Sequence, residues 1–174
     1  NLRALQNGFK MEDLFDISKQ VAPKLDTLWM GYFNPFYHKG MDYFIGKALS
    51  LGVGGFIIPD LPYEEAKSYK VLVQGAGLSL IDFVAPTDSN ERITQILSDS
   101  NKFVYLVAYA GITGSGREED LQPIIRHIKE VTDTPVYIGY GVNEKTAKEK
   151  AVGVDGVIVG SAFVSILLDD SLTG

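Results

Sequence analysis

The chain has 174 residues, 45% of them hydrophobic, enough to bury one substantial core in an ordinary globular domain. Its formal net charge of -6 argues against a general nucleic-acid binder but leaves room for a local anion site. Cysteine is absent and the only histidines are His38 and His127, which excludes disulfides and thiolate chemistry and disfavours a metal site. No apolar run reaches the ~18 residues of a membrane span. No basic segment leads into an apolar stretch as in a signal peptide, so a cytoplasmic location is expected.

The helical spacing of Leu2 and Leu5 predicts a short turn before Gly8. Met11 to Val21 reads as a helix with Met11, Leu14, Phe15 and Ile17 toward a core. Leu28 to Phe33 reads as a strand stopped by Asn34-Pro35. Met41 to Leu51 is a helix closed by Gly52, and Gly55 to Ile58 a strand running into Pro59-Asp60-Leu61-Pro62. A helix over Tyr63 to Gln74 ends at Gly75. Leu78 to Val84 is a strand ending at Pro86, and Asp88 with Glu91 reads as a capping box for the next helix. Phe103 to Ala108 is a strand followed by the glycine-rich stretch from Gly111 to Gly116. Leu121, Ile124, Ile125 and Ile128 mark one helix face. Val136 to Ile138 is a strand stopped by Gly139-Tyr140-Gly141, Asn143 is a good N-cap, and Gly156 to Val159 is a last strand ending in Gly160-Ser161.

Six strand–helix alternations with strands apolar along their length suit a parallel sheet covered by helices. A complete (β/α)8 barrel takes about 250 residues. The favoured reading is therefore a single partial TIM-barrel domain over 1–174 that lacks its first two strands. An open six-stranded sheet is the competing fold.

In such folds chemistry collects at the carboxyl ends of the strands. Gly139-Tyr140-Gly141 and Gly160-Ser161 expose backbone N–H groups on two successive strand tips, the second opening a helix whose N-terminus adds partial positive charge. With Thr113-Gly114 on a preceding tip, they read as a cradle for a phosphate. Asp60 is either an acid/base or substrate-orienting group, or a cap and loop brace. Tyr105 either places its phenol in the pocket or packs in the core. Asp82, inside an apolar strand, reads as structural, and both histidines as non-catalytic. No Walker loop, dinucleotide fingerprint or hydrolase triad is present.

The segments MGYFNPFYHKG, GFIIPDLPYEEA, VAPTDSNERI, FVYLVAYAGITGSG, PVYIGYGV and VDGVIVGSAFVSIL, in this order and spacing, resemble the tryptophan synthase α chain family across essentially the whole sequence. The resemblance implies a (β/α)8 TIM barrel, about six of whose eight βα units are in this chain. It implies a lyase that cleaves indole-3-glycerol phosphate to indole and glyceraldehyde 3-phosphate in tryptophan biosynthesis, needs no cofactor or metal, and joins a β subunit in an αββα heterotetramer. Gly114, Gly141, Gly160 and Ser161 match the family's phosphate contacts. Tyr32, Asp60, Val84, Tyr105 and Thr113 match its substrate pocket, and Asn34-Pro35-Phe36 matches a loop facing the β subunit. The family's catalytic Glu and second acidic residue match nothing here and would precede Asn1, which leaves Asp60 and Tyr105 in supporting roles. Tyr109 stands where many relatives carry Arg. The competing functions are a non-catalytic fragment that binds phosphate or the β subunit, and another phosphate-binding barrel isomerase.

Overall fold

The computed structural model describes residues 2–107 and 120–168. The chain forms two compact units, divided between Leu80 and Ile81.

The first unit opens with α1 (Leu2–Gln6) and α2 (Met11–Val21) and continues through β1 (Trp29–Met30), α3 (Phe33–Lys39) and α4 (Met41–Leu51). It ends with β2 (Gly55–Ile57), α5 (Tyr63–Gly75) and β3 (Ser79–Leu80). The three strands pair in parallel in the order β1-β2-β3, with Trp29 opposite Phe56 and Phe56 opposite Leu80. Large aromatics fill the core on the helical side. Phe15 of α2 lies 5.3 Å from Trp29, and Phe36 of α3 lies 4.6 Å from Phe44 of α4, ring centre to ring centre. Burying Trp29 also buries its indole N–H, which needs a partner. The Ser18 hydroxyl accepts it at 2.8 Å and in turn donates to the Leu14 carbonyl at 2.7 Å. That explains a buried serine on the apolar face of α2.

The second unit runs β4 (Asp82–Val84), α6 (Asn90–Leu97), β5 (Val104–Val107), α7 (Gln122–Val131), β6 (Val136–Gly139), α8 (Ala147–Lys150), β7 (Gly156–Val157) and α9 (Ser161–Leu167). Its four strands are again parallel and lie in sequence order. Val84, Val104, Leu106, Val136 and Ile138 are buried on one face, where Ile93, Ile96, Ile125 and Ile128 from α6 and α7 are also buried. The other face carries Phe83, Tyr105 and Tyr137, which stand opposite one another in the ladder. Phe83 and Tyr105 stack with ring centres 4.8 Å apart.

Glycines make room for these rings. A Cβ on Gly139 would run into the Tyr105 ring and hydroxyl, and a Cβ on Gly156 would come within 3.0 Å of the Tyr137 ring. Each tyrosine therefore lies across a glycine of the next strand. Asp155 fixes the entry to β7: its carboxylate accepts from Val136 N at 2.7 Å and pairs with Lys129 of α7, while its own N–H donates to the Val136 carbonyl at 2.9 Å.

Several elements depart from the sequence reading. Asn34-Pro35 does not end a strand and begin a loop; it lies in the first turn of α3, where proline costs no hydrogen bond. The strand expected over Leu78 to Val84 is interrupted at Ile81, and its halves pair with different neighbours, β3 with β2 and β4 with β5. The cap of α6 is Ser89, whose hydroxyl accepts from Arg92 N, because the Asp88 carboxylate turns back to accept from Ala85 N at 2.7 Å. Gly75 is the last residue of α5, and the left-handed position falls on Gly77.

Gly55 has a φ of +152°, and a Cβ there would strike the backbone carbonyl of Ser79 on β3. Neither backbone can yield without breaking the β2–β3 pairing. Gly55→Ala is expected to lower stability by at least ~2 kcal/mol in urea unfolding. An unchanged midpoint would show that this strand approach is not required.

Candidate functional site

Tyr32, Asp60, Val84, Gly141, Gly160 and Ser161 lie at or past the carboxyl ends of strands, and Tyr105 lies within β5. In the first unit, Tyr32 lies two residues past β1 and is the N-cap residue of α3, with 64% of its surface exposed. Asp60 follows β2, and its Oδ1 accepts from Phe33 N at 2.8 Å. The carboxylate thus satisfies one of the N–H groups that any helix start leaves open, and its negative charge suits that end of α3. The helix that Asp60 braces is α3, on the neighbouring strand's connection, and not the α5 that follows it in sequence. Tyr32 and Asp60 are brought together by this contact. Asn34 and Pro35 are exposed on α3, whereas Phe36 points into the core against Phe44 and Phe56.

In the second unit Val84 ends β4 with its side chain fully buried. Tyr105 lies half-buried on β5 with its hydroxyl end over Gly139, and burial pushes its phenol pKa up. At neutral pH it is therefore a neutral hydrogen-bond donor, not a phenolate. Thr113, Gly114 and Tyr109 lie outside the described residues. His127 bridges α7 to α6 through the Asn90 carbonyl at 3.0 Å, and His38 is exposed on α3. Asp82 is buried and has a partner.

Two consecutive residues at the tip of β6 take positive φ. Tyr140 has a φ of +79° and Gly141 of +64°. Glycine tolerates this region, but for tyrosine it costs of order 1 kcal/mol or more. A short network holds it. The Thr146 hydroxyl donates to the Gly141 carbonyl at 2.9 Å and accepts from Asn143 N at 3.0 Å, while Asn143 Oδ1 accepts from Lys145 N and Thr146 N. Asn143 thus caps a turn that continues into α8. The strained Tyr140 was not foreseen from sequence; an aromatic between two glycines after a strand is the only hint it left.

Beside it, β7 continues through Ile158, whose N–H donates to the Ile138 carbonyl at 2.8 Å, to Gly160 and the first turn of α9. The β6–β7 ladder therefore delivers Gly141, Gly160 and Ser161 to one edge of one sheet. Gly160 has ordinary negative φ, and a Cβ there would meet no atom within 4 Å among the described residues. Nothing in the described packing demands glycine at that position. Among the described residues no cluster of His, Asp and Glu is suited to a metal ion, and no helix is long and apolar enough to cross a membrane.

Parallel strands alternating with helices define an α/β protein of the (β/α)8-barrel class, with about six βα units in this chain. A family model described as the tryptophan synthase alpha chain matches residues 1–172, and the chain belongs to that family. It is 53% identical over 174 residues to the tryptophan synthase alpha chain of Wolinella succinogenes, covering 99% of this chain and 68% of the relative. It is 41% identical to that of Microcystis aeruginosa, covering 97% of this chain and 66% of the relative. Among solved structures, the alpha subunit of tryptophan synthase from Campylobacter jejuni superposes with a TM-score of 0.87 at 29% identity, over 98% of this chain and 70% of that one. A structure described as the tryptophan synthase a2b2 complex from Pyrococcus furiosus gives 0.79 at 32% identity, over 97% and 68%. The chain thus spans about two thirds of the length of these relatives.

Asp155 governs how β7 enters this edge. The Lys129 ammonium and the Val136 N–H hold its carboxyl below the usual carboxylate range. A carboxyl whose pKa is depressed by folding stabilises the protein above its unfolded pKa, and that contribution fades as the pH falls through the folded value. With the side chain 40% exposed, solvent screening limits the contribution. Asp155→Asn is expected to cost about 1 kcal/mol at pH 7. The gap from wild type should close as both are unfolded at progressively lower pH, below the ordinary carboxylate range. A gap independent of pH would assign the loss to packing.

Proposed function

We propose that this chain carries the substrate-binding part of a carbon–carbon lyase that releases indole and glyceraldehyde 3-phosphate from indole-3-glycerol phosphate in tryptophan biosynthesis. Family membership supports the reading, and the observation that carries it is Gly160. A glycine that no neighbouring protein atom requires, beside the left-handed Gly141 and the first turn of α9, leaves room for a ligand to reach backbone N–H groups. We assign Gly141, Gly160 and Ser161 as phosphate contacts, with Gly114 joining them by resemblance. Tyr32, Asp60, Val84, Tyr105 and Thr113 are assigned to the indole and glycerol pocket on the same ground.

The reaction breaks the bond between the indole ring and the glycerol carbon. A proton is delivered to the ring carbon, and a base takes the proton of the glycerol hydroxyl as the aldehyde forms. Both transfers need groups within hydrogen-bond reach of the substrate. Asp60 accepts from Phe33 N–H and so holds the start of α3 in place. Tyr105, kept neutral, can donate but not abstract a proton at neutral pH. The principal acid and base are therefore assigned outside these residues, in keeping with the family resemblance.

The Pyrococcus furiosus relatives include tryptophan synthase complexes, which supports a β subunit as partner. The exposed Asn34 and Pro35 on α3 are the residues proposed to face it. A cytoplasmic location goes with this biosynthetic role.

The binding test uses the substrate analogue indole-propanol phosphate. Gly160→Ala should leave thermal stability nearly unchanged, since its methyl meets no atom within 4 Å among the described residues, yet raise the Kd by about tenfold through loss of close approach. Ser161→Asp should raise it further by placing a negative charge at the start of α9. Both variants binding as tightly as wild type would overturn the assignment of the phosphate to this edge.

A further inference from the structure

We propose that Lys150 is a phosphate ligand of the same edge, supplying a mobile cation opposite the backbone N–H groups at the tips of β6 and β7. The inference rests on the phosphate reading and adds to it a residue that the sequence motifs did not single out.

Lys150 is the last residue of α8, and its ammonium lies 3.9 Å from the point where a Cβ of Gly141 would sit. A long, flexible lysine normally extends into water, because holding it in one place costs side-chain entropy. Here the side chain is half-buried and folded back over bare glycine backbone. Carboxylates hold other lysines of the chain: Lys19 pairs with Asp16, and Lys129 with Asp155. Among the described residues no ion pair involves Lys150. The Gly141 carbonyl accepts from the Thr146 hydroxyl, and among the described residues the ammonium makes no hydrogen bond to it. A positive charge beside exposed main chain, without an anion of its own, is arranged to meet one from outside.

A lysine closing a helix also gains from the partial negative charge of the carbonyl end. α8 is a single turn of four residues, so that gain is small, and it does not require the side chain to fold toward Gly141. A phosphate ester dianion at this tip would gain much more. It would accept from backbone N–H groups on one side and receive a charge-assisted bond from the ammonium on the other. The turn from Asn143 to Thr146 sets the distance between Lys150 and the β6 tip, so the network that holds the strained Tyr140-Gly141 backbone also positions the cation.

The experiment measures the Kd of glycerol 3-phosphate for the 174-residue chain and its variants by calorimetry or phosphorus NMR, with glycerol as the uncharged control. Thermal melts confirm folding. Lys150→Gln and Lys150→Met should each weaken binding about tenfold, and Lys150→Arg should stay within about threefold of wild type. Lys148→Gln, which removes an exposed charge from the same helix, should change little. If Lys148→Gln and Lys150→Gln weaken binding equally, only the general field matters and the ligand role of Lys150 is overturned. If both Lys150 neutral variants bind as wild type does, the role is overturned while the backbone phosphate site stands. A wild-type chain that binds neither glycerol 3-phosphate nor inorganic phosphate overturns both.

Discussion

The parallel pairing of β6 with β7 is the constraint on which the candidate site depends. Those strands are short, and the bonds from Asp155 to Val136 and from Ile158 to Ile138 set their register at both ends. Moving the register by one residue would turn Tyr137 away from Gly156 and carry Gly160 away from Gly141. The tyrosine rings tie the same pairing to the rest of the sheet. Tyr105 and Tyr137 each lie across a glycine of the next strand, so the order of Tyr105, Gly139, Tyr137 and Gly156 is a packing code as well as a sequence motif.

The glycines of this region answer different physical demands. Gly55, Gly139 and Gly156 are required by neighbouring atoms. Gly141 is required by its own positive φ. Gly160 answers to neither among the described residues. Gly46 and Gly75 are equally unopposed, and what sets Gly160 apart is its place at the start of α9, after the run of β7.

Polar groups follow a similar division. Asp60 and Asp88 both sit in loops after strands, where carboxylates invite a catalytic reading. Each instead accepts a backbone N–H and fixes the path of a connection.

From the sequence alone came the alternation of strands and helices, the parallel sheet, the glycine tips of the last two strands and the family. Each is written in local apolar runs, turn residues and short motifs. The same holds for the bounds of the helix from Met11 to Val21, although Ile17, expected toward the core, is exposed and Ser18 is buried. Only tertiary structure decided that the run from Leu78 to Val84 breaks at Ile81, that Phe36 is core, that Asp60 braces α3, and that Lys150 folds toward Gly141. These depend on which residues become neighbours across tens of positions in the chain. A carboxylate's partner or a lysine's direction is chosen by the nearest unsatisfied group in space, and one-dimensional spacing does not carry that information.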